Sequence, residues 1–128
     1  MEISKLTPIL MVDAIEPCLP FWDTLGFART AEVPEGDRLG FVILQKDGIE
    51  VMLQTMHSVE ADVPSMATIP KGGSVLFLEV KDIGAIERAL ESYPVLVPRR
   101  KTFYGADELF VREPGGNAVG FAQFGATS

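Results

Sequence analysis

Glu50, Met52 and Gln54 alternate along the run Ile49–Thr55, so as a strand this run would project all three side chains from one face. A carboxylate in such a row can pair with a cation, act as a general base whose pKa desolvation has raised, or sit hydrated and idle. Other reactive side chains are scarce. His57 is the only histidine, has no recognisable partner motif for a nucleophilic triad, and falls in a stretch where solvent exposure is expected. Cys18, the only cysteine, lies in the first turn of an expected helix, where a thiolate would be stabilised. No histidine adjoins it in sequence, and a small apolar filler is the simpler expectation. Phe103-Tyr104-Gly105, an aromatic pair beside a glycine, suits a hinged cover over a cleft. The preceding Arg99-Arg100-Lys101 reads as a solvated run.

The elements that must position these residues follow in order. Leu6–Val12 is an apolar strand containing Pro8, which offers the ladder no N–H, so the strand belongs at an edge or joins its partner unusually. Pro17 and Pro20 place a helix start within Pro17–Leu25, because proline is tolerated only in a first turn, and Gly26 can stop that helix. Phe27–Val33 is the next strand and Pro34-Glu35-Gly36-Asp37 a turn. Leu39–Gln45 and Ile49–Thr55 flank Lys46-Asp47-Gly48, the chemistry of a hairpin. His57–Gly72, with Pro64, Pro70 and Gly72-Gly73, reads as a connection. The pattern then starts again with strand Ser74–Val80, an N-cap at Asp82, and Ile83, Ile86, Ala89 and Leu90 at helical spacing. Strands Val95–Arg100, Glu108–Arg112 and Ala118–Phe124 complete it, with Glu113–Asn117 as a turn.

The order β-α-β-β-β therefore occurs twice, in modules spanning about 3–56 and 73–125 around a linker of about 57–72. The whole chain, 1–128, is one domain's length, and independent halves of about sixty residues would each be marginal, so the modules must share a core or an interface. Eleven basic and eighteen acidic residues give a net charge of −7, and all of that excess lies in residues 1–64. Such a balance disfavours nucleic acid and favours a cationic small molecule, if it is more than a solubility device. No apolar run approaches the roughly 18 residues of a membrane span. A lone cysteine, and an N-terminal apolar stretch too short for a secretory signal, lead to the expectation of a reducing cytoplasm.

Three segments in this order resemble the vicinal oxygen chelate superfamily of glyoxalases, extradiol dioxygenases and bleomycin-resistance proteins. They are Leu6-Thr7-Pro8-Ile9-Leu10-Met11-Val12, then Phe21-Trp22 with Leu25-Gly26-Phe27, and Phe110-Val111-Arg112-Glu113-Pro114-Gly115-Gly116-Asn117. The resemblance implies an α+β fold of two paired βαβββ modules forming a curved mixed sheet around a ligand-binding cleft. Many members hold a divalent metal there on four strand positions, which fall on Thr7, Glu50, Val75 and Gly120 here. Only Glu50 is a competent ligand, and one carboxylate does not hold a transition metal with useful affinity, so no metal and no other cofactor is expected.

The metal-free branch that the chain resembles most, in Pro8, Phe21-Trp22 and the Glu113–Asn117 turn, is the bleomycin-resistance type. Its members are homodimers that exchange the N-terminal arm and sequester a cationic antibiotic without chemistry. The implied function is small-molecule binding, with antibiotic sequestration as one form. The implied ligand-contacting set is Thr7, Ile9, Met11, Glu50, Met52, Phe77, Phe103 and Tyr104. The alternative is an enzyme (lyase, isomerase or dioxygenase-like) that uses Glu50 as base or metal ligand. The implied partners are a small molecule, cationic in one version, and a second copy, with neither nucleic acid nor membrane.

Overall fold

The computed structural model describes residues 1–125. Its first half runs β1 (Ile9–Val12), a 3-10 turn (Glu16–Cys18), α1 (Leu19–Thr24), β2 (Ala28–Glu35), β3 (Arg38–Lys46) and β4 (Ile49–Thr55). A connecting segment holds α2 (Met56–Asp62) and a 3-10 turn (Pro64–Thr68). The second half runs β5 (Val75–Glu79), α3 (Ile83–Ala89), β6 (Val95–Lys101), β7 (Ala106–Arg112) and β8 (Ala118–Phe124).

Each half forms a four-stranded mixed sheet, ordered β1-β4-β3-β2 and β5-β8-β7-β6. The first and last strands of each module pair in parallel and the rest antiparallel. The registers repeat as well: Ile9 faces Met52 in one module and Phe77 faces Gly120 in the other. The α+β class and the doubled βαβββ plan are those expected. Both β1 and β5 are edge strands of their own sheets. Pro8 lies just before β1, and its carbonyl accepts the Met52 N–H at 2.9 Å, so its missing donor leaves no gap in the ladder.

Local chemistry explains most boundaries. Asp47 and Gly48 both take positive φ, 49° and 87°, which lets a two-residue turn follow the twist of β3 and β4. Pro17 and Pro20 sit in first turns, of the 3-10 segment and of α1, where no intrahelical donor is needed. Gly26, at φ 92°, turns the chain out of α1. Asp82 caps α3 by accepting the Ala85 N–H at 3.1 Å.

Four expectations need correction. β1 begins at Ile9 rather than Leu6: its pairing with β4 starts with Ile9 against Met52, and Pro8, having no N–H, does not carry the parallel ladder further back. β2 continues through Pro34 and Glu35, which pair with Leu39 and Arg38; a bulge at Val33/Pro34 and the edge position make room for proline there. β7 begins at Ala106, two residues before Glu108. The connecting segment is largely helical: Thr55 caps α2 by accepting the Ser58 N–H, and Val59 is its one buried residue. A helix that buries a single side chain has no apolar stripe to read in sequence.

One core serves both modules. Trp22 and Phe21 of α1 are fully buried with Leu10, Val12, Leu44 and Leu53 from one sheet and Leu109, Val111, Val119 and Phe121 from the other. Phe21 meets Trp22 edge-on at 5.2 Å and Tyr93 of the second module at 5.0 Å. Full burial of such a side chain stabilises by about 1.5–3 kcal/mol, and the Phe21–Tyr93 contact ties one half to the other.

Candidate functional site

Alternation on the strands divides every sheet residue between this core and an opposite face. On the first sheet Leu10, Val12, Val42, Leu44, Val51 and Leu53 turn inward. The other face then carries Ile9 and Met11 on β1, Phe41 and Ile43 on β3, and Glu50, Met52 and Gln54 on β4. On the second sheet the outward set includes Val75 and Phe77 on β5, Glu108 and Phe110 on β7, and Gly120 on β8. These two outward faces are the candidate site. Val75 and Phe77 are at least half exposed and Ile9 nearly so, which is unusual for strand residues of this size.

Glu50 is fully engaged. It accepts the Thr7 hydroxyl at 2.8 Å, a short hydrogen bond from the Gln45 amide, and the Lys5 ammonium at 3.0 Å. The Thr7 hydroxyl first, then Lys5 and Gln45, hold its carboxyl below the ordinary value. Of the three readings open for this residue, a general base with a raised pKa runs against these contacts, which favour the ionised carboxylate and lower its pKa. The cation partner that the residue could have sought is Lys5 of the same chain.

The second module has its own carboxylate. Glu108 accepts the Tyr104 hydroxyl at 2.6 Å and the Arg100 guanidinium at 2.9 and 2.7 Å. Tyr104 chiefly, with Arg100 beside it, holds that carboxyl low, and Glu108 in turn raises the Tyr104 hydroxyl. The basic run before it is exposed, as expected, and also paired: Arg99 bridges Asp107 at 2.7 Å and Glu87 at 2.9 Å, and Lys101 reaches Asp107 at 3.6 Å. Cross-strand register sets these pairs, with Arg100 facing Glu108 and Lys101 facing Asp107.

Aromatic rings surround this cluster. Tyr104 packs against Phe103 at 5.1 Å and Phe124 at 6.0 Å, while Phe77 and Phe110 are 6.1 Å apart. Gly120 leaves the floor open for the Phe110 ring, into which a Cβ at that position would project. Phe103 is wholly exposed at the tip of the β6–β7 connection. Between the modules, Leu6, Pro8, Trp22, Glu50, Phe77 and Leu78 help to wall a cavity of about 300 Å³ that joins the two faces along their seam.

The expected residues thus separate into groups. Thr7 and Glu50 form one cluster, Ile9, Met11 and Met52 share its face, Phe77 lines the seam across from them, and Phe103 and Tyr104 belong to the second module's aromatic group. Sequence reading missed Lys5, Gln45, Arg100, Glu108, Phe110 and Phe124. The alternation Lys5-x-Thr7 hinted at the first, whereas the Arg100–Glu108 pair needed a strand register that only the fold supplies.

The metal positions do not fit a metal. Thr7, Val75 and Gly120 offer no competent ligand, Glu50 is engaged, and among the described residues no group of three His, Cys, Asp or Glu side chains could hold an ion. By the repeated register, moreover, the position matching Gly120 in the first module is Met52, with Glu50 one pleat away on the same face. His57 sits in α2, largely exposed, and pairs with Glu35 at 2.9 Å. Cys18 is buried, its Sγ 3.4 Å from the Ala14 carbonyl, and burial pushes its thiol up to about 12, so it is filler and not a nucleophile.

No family model matches the chain, and no curated protein does. Solved structures do. A glyoxalase/bleomycin resistance protein/dioxygenase from Nocardioides shares 19% identity over 100% of this chain and 88% of its own, at a TM-score of 0.73. TnmS3, an antibiotic binding protein from a Streptomyces species, shares 24% identity over 96% and 98%, at 0.69. A lactoylglutathione lyase from Agrobacterium tumefaciens shares 19% identity over 95% of both chains, at 0.71. At these identities the likeness establishes a common fold, with the whole described chain inside it. No helix among the described residues is long and apolar enough to cross a membrane.

Proposed function

We propose that this chain, which has the glyoxalase/bleomycin-resistance fold, is a small-molecule-binding protein of the vicinal oxygen chelate superfamily that performs no chemistry on its ligand. The observation that carries this reading is the pairing of an exposed apolar and aromatic surface with carboxylates that are already neutralised. Phe77, Phe103, Tyr104 and Ile9 offer stacking and apolar contact, while Glu50 and Glu108 are held low in pKa by partners of their own chain. Sequestration needs shape and aromatic surface, which the site has, and catalysis needs an activated acid, base or nucleophile. The antibiotic-binding neighbour of the same fold lends the reading support, and sequestering an antibiotic is the physiological version of it.

A second copy completes the site in this proposal. Met1, Ile3 and Leu6 of the N-terminal segment are more than four-fifths exposed, and the open face of β5 carries Val75 and Phe77. An exchanged N-terminal arm would cover apolar surface on both copies. Light scattering over a wide dilution range should find a dimer, and a monomer at about 50 μM would remove this part of the reading.

Titration calorimetry with a bleomycin-type glycopeptide and with simpler aromatic cations tests the binding itself. Loss of stacking in Tyr104→Ala should weaken such a ligand about three- to thirtyfold. Glu50→Gln should change affinity less than about threefold, since Lys5 already occupies the carboxylate. A hundredfold loss would reinstate Glu50 as a ligand's counter-ion. Turnover of a neutral substrate that vanishes in Glu50→Gln while binding persists would replace the binding protein with an enzyme.

A further inference from the structure

Arg100 stands opposite Glu108 across β6 and β7, so both side chains share the open face of the second module. Its Nε and Nη2 both donate to one carboxylate oxygen, Glu108 Oε1, at 2.9 and 2.7 Å. The other oxygen, Oε2, accepts the Tyr104 hydroxyl at 2.6 Å. Glu108 is only 1% exposed and both of its oxygens are taken, so it offers a ligand nothing of its own. It serves instead as a brace, holding a guanidinium and a phenol ring within about 8 Å of each other.

Both braced groups keep an open side. The Arg100 side chain is 60% exposed, and its Nη1 has no acceptor among the described residues. Nη1 and the outer N–H of Nη2 together form a fork of parallel donors, the geometry that takes a carboxylate bidentately. Tyr104 is nearly half exposed, with Phe124 beside its ring at 6.0 Å. A cation finds no matching partner here beyond the ring faces. The next carboxylate in the same cross-strand row, Glu79, is three strands from Arg100, about 14 Å at about 4.8 Å per strand. That exceeds the roughly 8 Å over which exposed charges act at physiological salt.

We infer that the open face of the second module binds a compact aromatic carboxylate, its ring stacked on Tyr104 and its acid group held by the free fork of Arg100. The inference rests on the binding-protein reading and assigns that protein's ligand a charge. Glu108 is a positioning residue in it, since it fixes the ring and the fork relative to each other. Because Glu108 also offsets part of the Arg100 charge, preference for the acid is moderate, about tenfold.

Titration calorimetry on the intact protein, with 2-naphthoate, 2-naphthamide and 2-naphthylmethylammonium as probes, tests it. The three share a ring and differ in charge. At low salt 2-naphthoate should bind about five- to thirtyfold more tightly than the amide, and the gap should narrow as salt rises. Arg100→Gln should bring the acid down to the amide and leave the amide unchanged. Tyr104→Ala should weaken both about three- to thirtyfold. Lys101→Gln removes the same charge from the opposite face, where Lys101 meets Asp107, and should alter neither by more than about twofold. If Arg100→Gln leaves the buried Glu108 too poorly paired to fold, Arg100→Gln combined with Glu108→Gln leaves the net charge unchanged and should likewise erase the preference for the acid.

Equal affinity for acid and amide, or tighter binding of the ammonium, overturns the proposal. So does a loss in Lys101→Gln as large as that in Arg100→Gln, which would reduce the preference to general attraction. Each of these leaves the binding-protein reading standing as long as Tyr104→Ala weakens the probes that bind. If none of the three probes binds, and the glycopeptide and other aromatic cations do not either, both readings fail.

Discussion

The two modules share strand order, register and the position of one helix, but they treat their outward faces differently. In the first, the N-terminal segment folds back so that Lys5 and Thr7 close over Glu50, and α2 meets Gln54 through Ser58 at 3.1 Å. In the second, Glu108 is served from its own hairpin by Arg100 and Tyr104, and the surrounding Phe77, Phe103 and Phe124 remain open. A duplicated scaffold thus carries one face closed by polar contacts from distant chain and one face left aromatic. The difference lies in side chains and connections, not in the sheet.

The comparison is broken most severely if the halves do not depend on each other. Phe21→Ala removes the ring between Trp22 and Tyr93 and should cost about 3–5 kcal/mol in urea denaturation. A loss below about 1 kcal/mol would mean that the modules stand apart. Next in size is the pair of matched floor positions. Gly120→Ala drives a methyl into the Phe110 ring and should destabilise by about 1–3 kcal/mol. Met52→Ala, at the corresponding place in the first module, should cost less, since Met52 is only partly buried. Equal costs would show that the two floors are packed alike.

The carboxylates sharpen the comparison through pH. Glu50 and Glu108 both have folded pKa values below the ordinary 4.5, so the stability they contribute is present above that value and is lost as pH falls through the folded pKa. Glu113 has the opposite sign. Buried in the β7–β8 turn beside Asn117, it is raised above 4.5, so its favourable contribution is present below 4.5 and fades as pH rises through the folded pKa. Denaturation midpoints between pH 3 and 7 should therefore fall less steeply on acidification in Glu50→Gln and Glu108→Gln, and more steeply in Glu113→Gln. A Glu113→Gln profile parallel to the parent's would contradict the burial argument.

The smallest effect belongs to His57. Glu35 raises its pKa, so their pairing is present below 6.5 and lost as pH rises through the folded value. Both partners lie at the surface, and His57→Ala should leave the midpoint unchanged at pH 8 and lower it only slightly at pH 5.

Much of this architecture was legible without coordinates. Proline placement located the start of α1, Asp47-Gly48 located the β3–β4 hairpin, and alternation put Glu50, Met52 and Gln54 on one face. Those features depend on backbone preferences of a few adjacent residues, which sequence states directly. α2 was hidden because its only anchor is Val59, and the strand character of Pro34 because an edge bulge, a tertiary circumstance, tolerates it.

What the sequence alone determined is the doubled module, its turns, and the poverty of histidine and cysteine. What the tertiary structure decided is the state of each functional group. Glu50 would have been a base, a counter-ion or an idle carboxylate until Lys5, Thr7 and Gln45, up to 45 positions away, were seen to converge on it. The same holds for Arg100 with Glu108, which the register of β6 and β7 brings face to face. The physical reason is range. Turn and strand preferences act between neighbours, whereas protonation, hydrogen-bond satisfaction and cavity shape depend on which distant segments the packing brings within about 3 Å.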